Sequence, residues 1–161
     1  EADVLRLAEN NIPTLGICFG HQLIANAFGG VVAQNPKGLE VGTATIRRTS
    51  ESHTDAIFST LPIQFKAHTI HFQSVVSAPD NATILASSDM DNHHAFRIGE
   101  TTWGVQFHPE FSTDIMCTIL RDNRQHLSKE EFEQKLSQTT HTMNAQSILS
   151  EFNQFVLKSI Y

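Results

Sequence analysis

The segment Gly16-Ile17-Cys18-Phe19-Gly20 limits the fold more tightly than any other stretch of the chain. Thr14 to Cys18 is a short apolar run of the kind that forms a buried parallel strand. From Gly20 to Phe28, Leu23, Ile24, Ala27 and Phe28 recur with helical spacing, and Gly29-Gly30 supplies a C-terminal stop. A G-x-C-x-G between strand and helix is the cysteine form of a nucleophile elbow. Its central residue sits on a strained turn that lifts the side chain off the sheet, and we expect the flanking glycines to leave room for that turn. The helix beginning beside Cys18 turns its partial positive charge on the sulfur. A stabilised thiolate and a lowered thiol pKa are therefore expected, with the Phe19 N–H pointing where an oxyanion would form.

The surrounding pattern is that of an α/β domain. Val4, Leu5, Leu7 and Ala8 lie on one side of an amphipathic helix that Asn10-Asn11 and Pro13 end. The chain opens inside that helix without an initiator Met, so we expect a domain truncated at its N-terminus. Short β-rich runs follow at Val31–Ala33, Gly42–Arg48, Phe65–His71, Thr83–Ala86, His94–Ile98 and Thr102–Phe107, separated by Pro, Gly, Asn and Asp. Helical patterning returns after Pro109: Ser112 is an N-cap candidate for Thr113–Arg121, and Ser128-Lys129-Glu130-Glu131 has capping-box spacing. A last helix presents Ile148, Leu149, Phe152, Phe155 and Val156 on one side. With no repeat, low-complexity tract or linker, residues 1–161 read as one domain.

Composition removes several classes of partner. The 161 residues carry 11 Lys or Arg against 17 Asp or Glu, a formal net charge of −6. No basic run exceeds Arg47-Arg48, which argues against nucleic acid and anionic membranes. No stretch reaches the roughly 20 apolar residues of a membrane span. A cytoplasmic location is expected, with Cys18 and Cys117 as free thiols in a reducing compartment.

A thiol nucleophile needs a base, and the chain holds nine histidines. Position selects His108. The run Trp103-Gly104-Val105-Gln106-Phe107 leads a strand into it, Pro109 stops the ladder, and Glu110 follows two residues on. Parallel strands share one carboxyl edge, where ligands bind, so the ends of the Cys18 and His108 strands can meet. Glu110 can then hold the far ring nitrogen of His108 as the third member of a triad.

The segments GICFGHQ, Gly16 to Gln22, and GVQFHPE, Gly104 to Glu110, resemble the two signature motifs of class I, triad-type glutamine amidotransferase domains. Nearly the whole chain takes part in the likeness. With the GLEVG and AFRIG segments it is most similar to stand-alone amidotransferase-like proteins labelled after GMP synthase. The resemblance implies a three-layer α/β/α fold around a mainly parallel, flavodoxin-like sheet, with an antiparallel extension from the middle strands. It implies that Cys18 attacks the side-chain amide of glutamine, that His108 carries the protons and that Glu110 orients His108. A γ-glutamyl thioester forms, ammonia leaves for an acceptor, and water releases glutamate.

The same resemblance places Gln22, Phe72 and Gln73 at the substrate, the last two within a stretch whose backbone grips its amino and carboxylate groups. Phe72 and Gln73 stand where many relatives have a small residue or an acid. Domains of this class begin with further strands and a glycine-rich loop that gives the second oxyanion N–H. Those parts are expected either upstream in a longer polypeptide or from elsewhere. The chain holds no synthase domain, so an acceptor-activating module would be another subunit. Two rival readings stand beside the first: hydrolysis of γ-glutamyl peptides by the same triad, and a non-catalytic regulatory protein of the same family.

Other signals read plainly. His93-His94 and the pair His68 and His71 have no acidic or thiol partner nearby in sequence, so solvated loop histidines are expected and no metal or cofactor. Lys37-Gly38-Leu39-Glu40 lacks phosphate-loop spacing and reads as a hairpin turn. Cys117, among Ile115, Met116, Ile119 and Leu120, reads as a small buried hydrophobe.

Overall fold

Gly, Pro, Asn and Asp break the chain into short strands. The computed structural model describes residues 1–160, in the order α1 (Ala2–Glu9), β1 (Thr14–Ile17), α2 (Phe19–Ala27), β2 (Val31–Gln34), β3 (Glu40–Arg48), β4 (Gln64–His71), β5 (Gln73–Ser77), β6 (Ala82–Ser87), β7 (Ala95–Ile98), β8 (Thr102–Val105), α3 (Thr113–Asp122), α4 (Lys129–Ser137) and α5 (Met143–Ile160). Six strands form one sheet in the order β1-β8-β7-β6-β3-β4, and β2 with β5 forms a separate ribbon. Within the described residues only β1 and β8 are parallel; every other pairing is antiparallel.

The expectation of a mainly parallel sheet is thus corrected to a mixed one. Short connections such as Gly99–Thr101, with Gly99 at φ +55°, return the chain directly beside itself, which only antiparallel strands allow. The single parallel pair is the one whose strands lie farthest apart in sequence. It is also the pair the site requires. Its register sets Gly16 beside Gly104 and Ile17 beside Val105, so Cys18 and Gln106 leave the sheet together at the carboxyl edge.

Helices cover both faces, as the three-layer reading expects. On one side Ile148, Phe152 and Phe155 of α5 pack with Ile57, Phe58, Leu85 and Trp103, whose ring meets Phe152 and Phe155 edge-on at 6.0 and 4.8 Å. On the other, Ile24 and Ala25 of α2 join Val75, Phe96 and Ile98, with Val4 of α1 packed against them. A third cluster joins Val41 to Met116 and Leu120 of α3. Both helix starts expected from sequence have side-chain caps. Ser112 Oγ accepts the Ile115 N–H at 3.3 Å, and Ser128 and Glu131 form a reciprocal capping box at 3.1 and 2.8 Å.

Three local expectations change. Lys37–Glu40 is a turn, with Gly38 at φ +90°, but it joins the ribbon to the main sheet and is no hairpin. Strand β5 begins after a single intervening residue, Phe72, inside the stretch whose backbone is expected to grip the substrate. Cys117 is a free, half-buried thiol on α3.

Candidate active site

Cys18 ends β1 and caps α2 at φ 49° and ψ −100°, a left-handed backbone that costs a residue with a Cβ on the order of 1–3 kcal/mol. Neighbours over-determine that strained turn. The Cys18 N–H donates to the Val105 carbonyl at 2.8 Å, and a Cβ on Gly16 would lie 2.6 Å from the Gly20 backbone. Gly20 departs from expectation: a Cβ there would meet nothing within 4 Å. Gly16 is therefore the steric requirement of the elbow among the described residues.

The thiol lies in an open cleft of about 420 Å³ lined by Cys18, Phe19, Gln22, Gln34, Ile70, His71, Phe72 and Gln73. Sγ donates to the Ile70 carbonyl at 3.7 Å and accepts from Gln106 Nε2 at 3.5 Å. Burial pushes the Cys18 thiol up; the Phe19 N–H pulls it down, the Glu110 carboxylate raises it and the Gln106 amide lowers it, for a net rise. This corrects the expected lowered pKa. Desolvation of the sulfur outweighs the N–H groups aimed at it, so the resting group is a thiol that must hand its proton to a base.

His108 lies on the loop beyond β8, its N–H tied to the His68 carbonyl at 2.8 Å and its ring stacked on Phe111 at 3.9 Å. Nδ1 lies 2.7 Å from Glu110 Oε1. A carboxylate only accepts, so Nδ1 carries the hydrogen and Nε2 is the nitrogen left to take a proton. Nε2 is buried and has no protein partner. The pair therefore has the form of a base held by an orienting acid, with Glu110 exposed towards solvent.

The remaining expected residues divide. Phe19 is 73% exposed, and its backbone N–H, at the start of α2, pulls the Cys18 thiol down. Phe72 and Gln73 both line the cleft, and Phe72 meets His126 edge-on at 5.2 Å. Gln22 also lines it, but its amide nitrogen is engaged by the Gln73 carbonyl at 2.9 Å and Gln106 Oε1 at 3.1 Å, which leaves Oε1 for a ligand.

The sequence reading missed Gln106 as a contact of Cys18. The available signal was a glutamine just beyond a buried strand, where a buried polar side chain needs a fixed partner. It also missed the surroundings of the histidines. His68, His71 and His94 are buried and His93 is partly buried, which corrects the expectation of solvated loop residues. His71 and His94 converge on Glu40, a carboxylate brought from β3.

A mixed sheet flanked by helices, with an elbow cysteine at the end of one strand and a His-Glu pair beyond its parallel neighbour, defines an α/β domain. The chain belongs to the class I glutamine amidotransferase family: the profile described as "Glutamine amidotransferase class-I" matches residues 2–125. Gamma-glutamyl peptidase 3 of Arabidopsis thaliana is 33% identical over 139 residues, 84% of this chain and 56% of that protein. A glutamine-hydrolyzing GMP synthase subunit of Pyrococcus abyssi is 41% identical over 116 residues, 71% of this chain and 60% of that protein. The chain thus spans little more than half the length of these curated relatives. The crystal structure of a glutamine amidotransferase from Thermotoga maritima superposes with a TM-score of 0.78 at 21% identity, covering 96% of this chain and 66% of that one, and so shares its fold.

Proposed function

We propose that the domain hydrolyses the side-chain amide of glutamine through a γ-glutamyl thioester on Cys18. The observation that carries this reading is the parallel register of β1 and β8, which brings the strained Cys18 and the His108–Glu110 pair out at one sheet edge. His108 Nε2 takes the thiol proton as sulfur attacks the amide carbon. The Phe19 N–H stabilises the oxyanion. When the C–N bond breaks, His108 returns the proton and ammonia leaves. Water then attacks the thioester, His108 removes its proton, and glutamate departs as the thiol reforms.

Two parts of this machinery lie beyond the described residues. Strand β1 pairs on one side only, and Gly20 faces open space. We place there a further strand and the second oxyanion N–H, a donor worth on the order of 3 kcal/mol in the transition state. The relatives named as glutamine-hydrolyzing subunits of GMP synthase support an ammonia acceptor activated by a separate synthase partner.

A second reading, hydrolysis of γ-glutamyl peptides, is favoured by the open cleft beside exposed Phe72 and Gln73, where a substituent on the γ-amide could lie. The relatives named gamma-glutamyl peptidase support it. Turnover of glutamine and of glutathione by the full-length protein separates the two. Faster release of ammonia from glutamine supports the first; faster release of cysteinylglycine from glutathione supports the second.

A further inference from the structure

Behind the cleft wall, Glu40 collects three donors. Its Oε2 accepts from His71 Nε2 at 2.7 Å and His94 Nε2 at 3.1 Å, and its Oε1 accepts from Ser88 Oγ at 2.7 Å. The side chains of Glu40, His71 and His94 are at most 7% exposed. Burial alone pushes the Glu40 carboxyl up. The bonds from His71, His94 and Ser88 together with the His94 charge outweigh it and hold the group well below the usual carboxylate range.

His71 links this cluster to the cleft. Its Nδ1 lies 2.7 Å from the Gln73 carbonyl, while its Nε2 faces Glu40. The ring thus bridges the Gln73 carbonyl and the Glu40 carboxylate, both of them hydrogen-bond acceptors. The same Gln73 carbonyl accepts from Gln22 Nε2 at 2.9 Å. That amide group also donates to Gln106 Oε1 at 3.1 Å, which turns the Gln106 NH2 to Cys18 Sγ at 3.5 Å. One unbroken chain of donors and acceptors therefore runs from Ser88 and Glu40 to the nucleophile.

A metal ion fits the cluster less well than these hydrogen bonds. The three ligand atoms lie within 4.8 Å of one another, and the N···O contacts of 2.7 and 3.1 Å have hydrogen-bond lengths. Two ligands on tetrahedral zinc at about 2.0–2.1 Å would stand roughly 3.3 Å apart.

We propose that Glu40 is a positioning residue: through His71, the Gln73 carbonyl and Gln22 it fixes the Gln106 amide against Cys18 Sγ and holds the Ile70–Gln73 wall of the cleft. The proposal rests on Cys18 being the nucleophile of the glutaminase reading. The test measures kcat and KM for glutamine and the rate of iodoacetamide alkylation mapped to Cys18, in the full-length protein and its Glu40→Ala, Glu40→Gln, His71→Asn and His71→Leu variants, together with zinc content. Glu40→Ala should lower both the alkylation rate and kcat/KM by roughly 10–100-fold, since small misplacements at a reacting atom cost that much. Glu40→Gln should lose less, because its amide can accept from Ser88 and still bond the His71 ring that holds Gln73. His71→Asn, whose amide can still donate to the Gln73 carbonyl, should retain more than His71→Leu.

Alkylation of Glu40→Ala within twofold of the parent, or equal losses in Glu40→Ala and Glu40→Gln, overturns the proposal. Stoichiometric zinc in the parent that is lost with Glu40 also overturns it. If Glu40→Ala does not fold, equal rates in the two His71 variants overturn it instead. Alkylation that follows the expected order in a protein inert to glutamine supports the positioning role and sinks the glutaminase reading.

Discussion

The Gln106 side chain donates to Cys18 Sγ at 3.5 Å from a position two residues ahead of His108. The segment beyond β8 that carries His108 thus also brings a donor to Cys18. A hydrogen bond to a charged group contributes about 1.5–3 kcal/mol, and this one strengthens as the thiol becomes a thiolate. Gln106→Leu should slow alkylation of Cys18 at neutral pH by about tenfold or more, read by rate measurements with peptide mapping. An unchanged rate would mean that the amide does not stabilise the thiolate.

His108 and Glu110 should separate by role. In the proposed mechanism the ring moves protons, whereas the carboxylate, 2.7 Å from Nδ1, orients it. His108→Ala should reduce glutamine turnover by about 10³-fold or more, and Glu110→Gln by less, as steady-state ammonia assays would report. A greater loss in Glu110→Gln would reverse the assigned roles.

Gly16 is the steric key of the elbow. A methyl there would sit 2.6 Å from the Gly20 backbone and from Ile24 Cδ1. Gly16→Ala should destabilise the fold by about 1–3 kcal/mol through overpacking and displace Cys18 as well. Denaturant melts and alkylation rates check the two effects. A variant of parental stability and reactivity would show that the turn has slack.

Acid should weaken the fold through His21. Burial, the first cause, with the nearby charges of His94 and His71, lowers its pKa to about 3, and neither ring nitrogen has a partner. Between that value and an unfolded pKa near 6.5, the unfolded chain holds a proton that the native one lacks. Stability is therefore full above about pH 6.5 and falls as pH drops towards 3, by at most about 1.4 kcal/mol per pH unit from this residue. His21→Leu should flatten that decline between pH 6.5 and 5. Identical slopes for variant and parent in denaturant melts would contradict it.

Much of this arrangement can be read from the residues because its parts are locally punctuated. Glycines bracket Cys18, Pro109 stops the His108 strand, and Ser128 and Glu131 mark a helix start. The mixed sheet was hidden because strand direction depends on connection length, and turns such as Gly99–Thr101 override an α/β expectation. Strand β5 was hidden because only Phe72 separates it from β4. The Glu40 cluster was invisible for a different reason. Its partners stand 31 and 54 positions away, and only tertiary packing brings them together.

The central claim is that Cys18 forms a thioester with the γ-carbonyl of glutamine. Acid-quenched mass spectrometry of the full-length protein mixed with glutamine tests it most directly, with the Cys18-containing peptide read against the Cys117-containing one. A γ-glutamyl group on Cys18 is expected, absent from Cys18→Ala and accumulating when hydrolysis is slowed, with one ammonia released per glutamate formed. Ammonia release that persists in Cys18→Ala, or a γ-glutamyl group found on Cys117, would contradict the account.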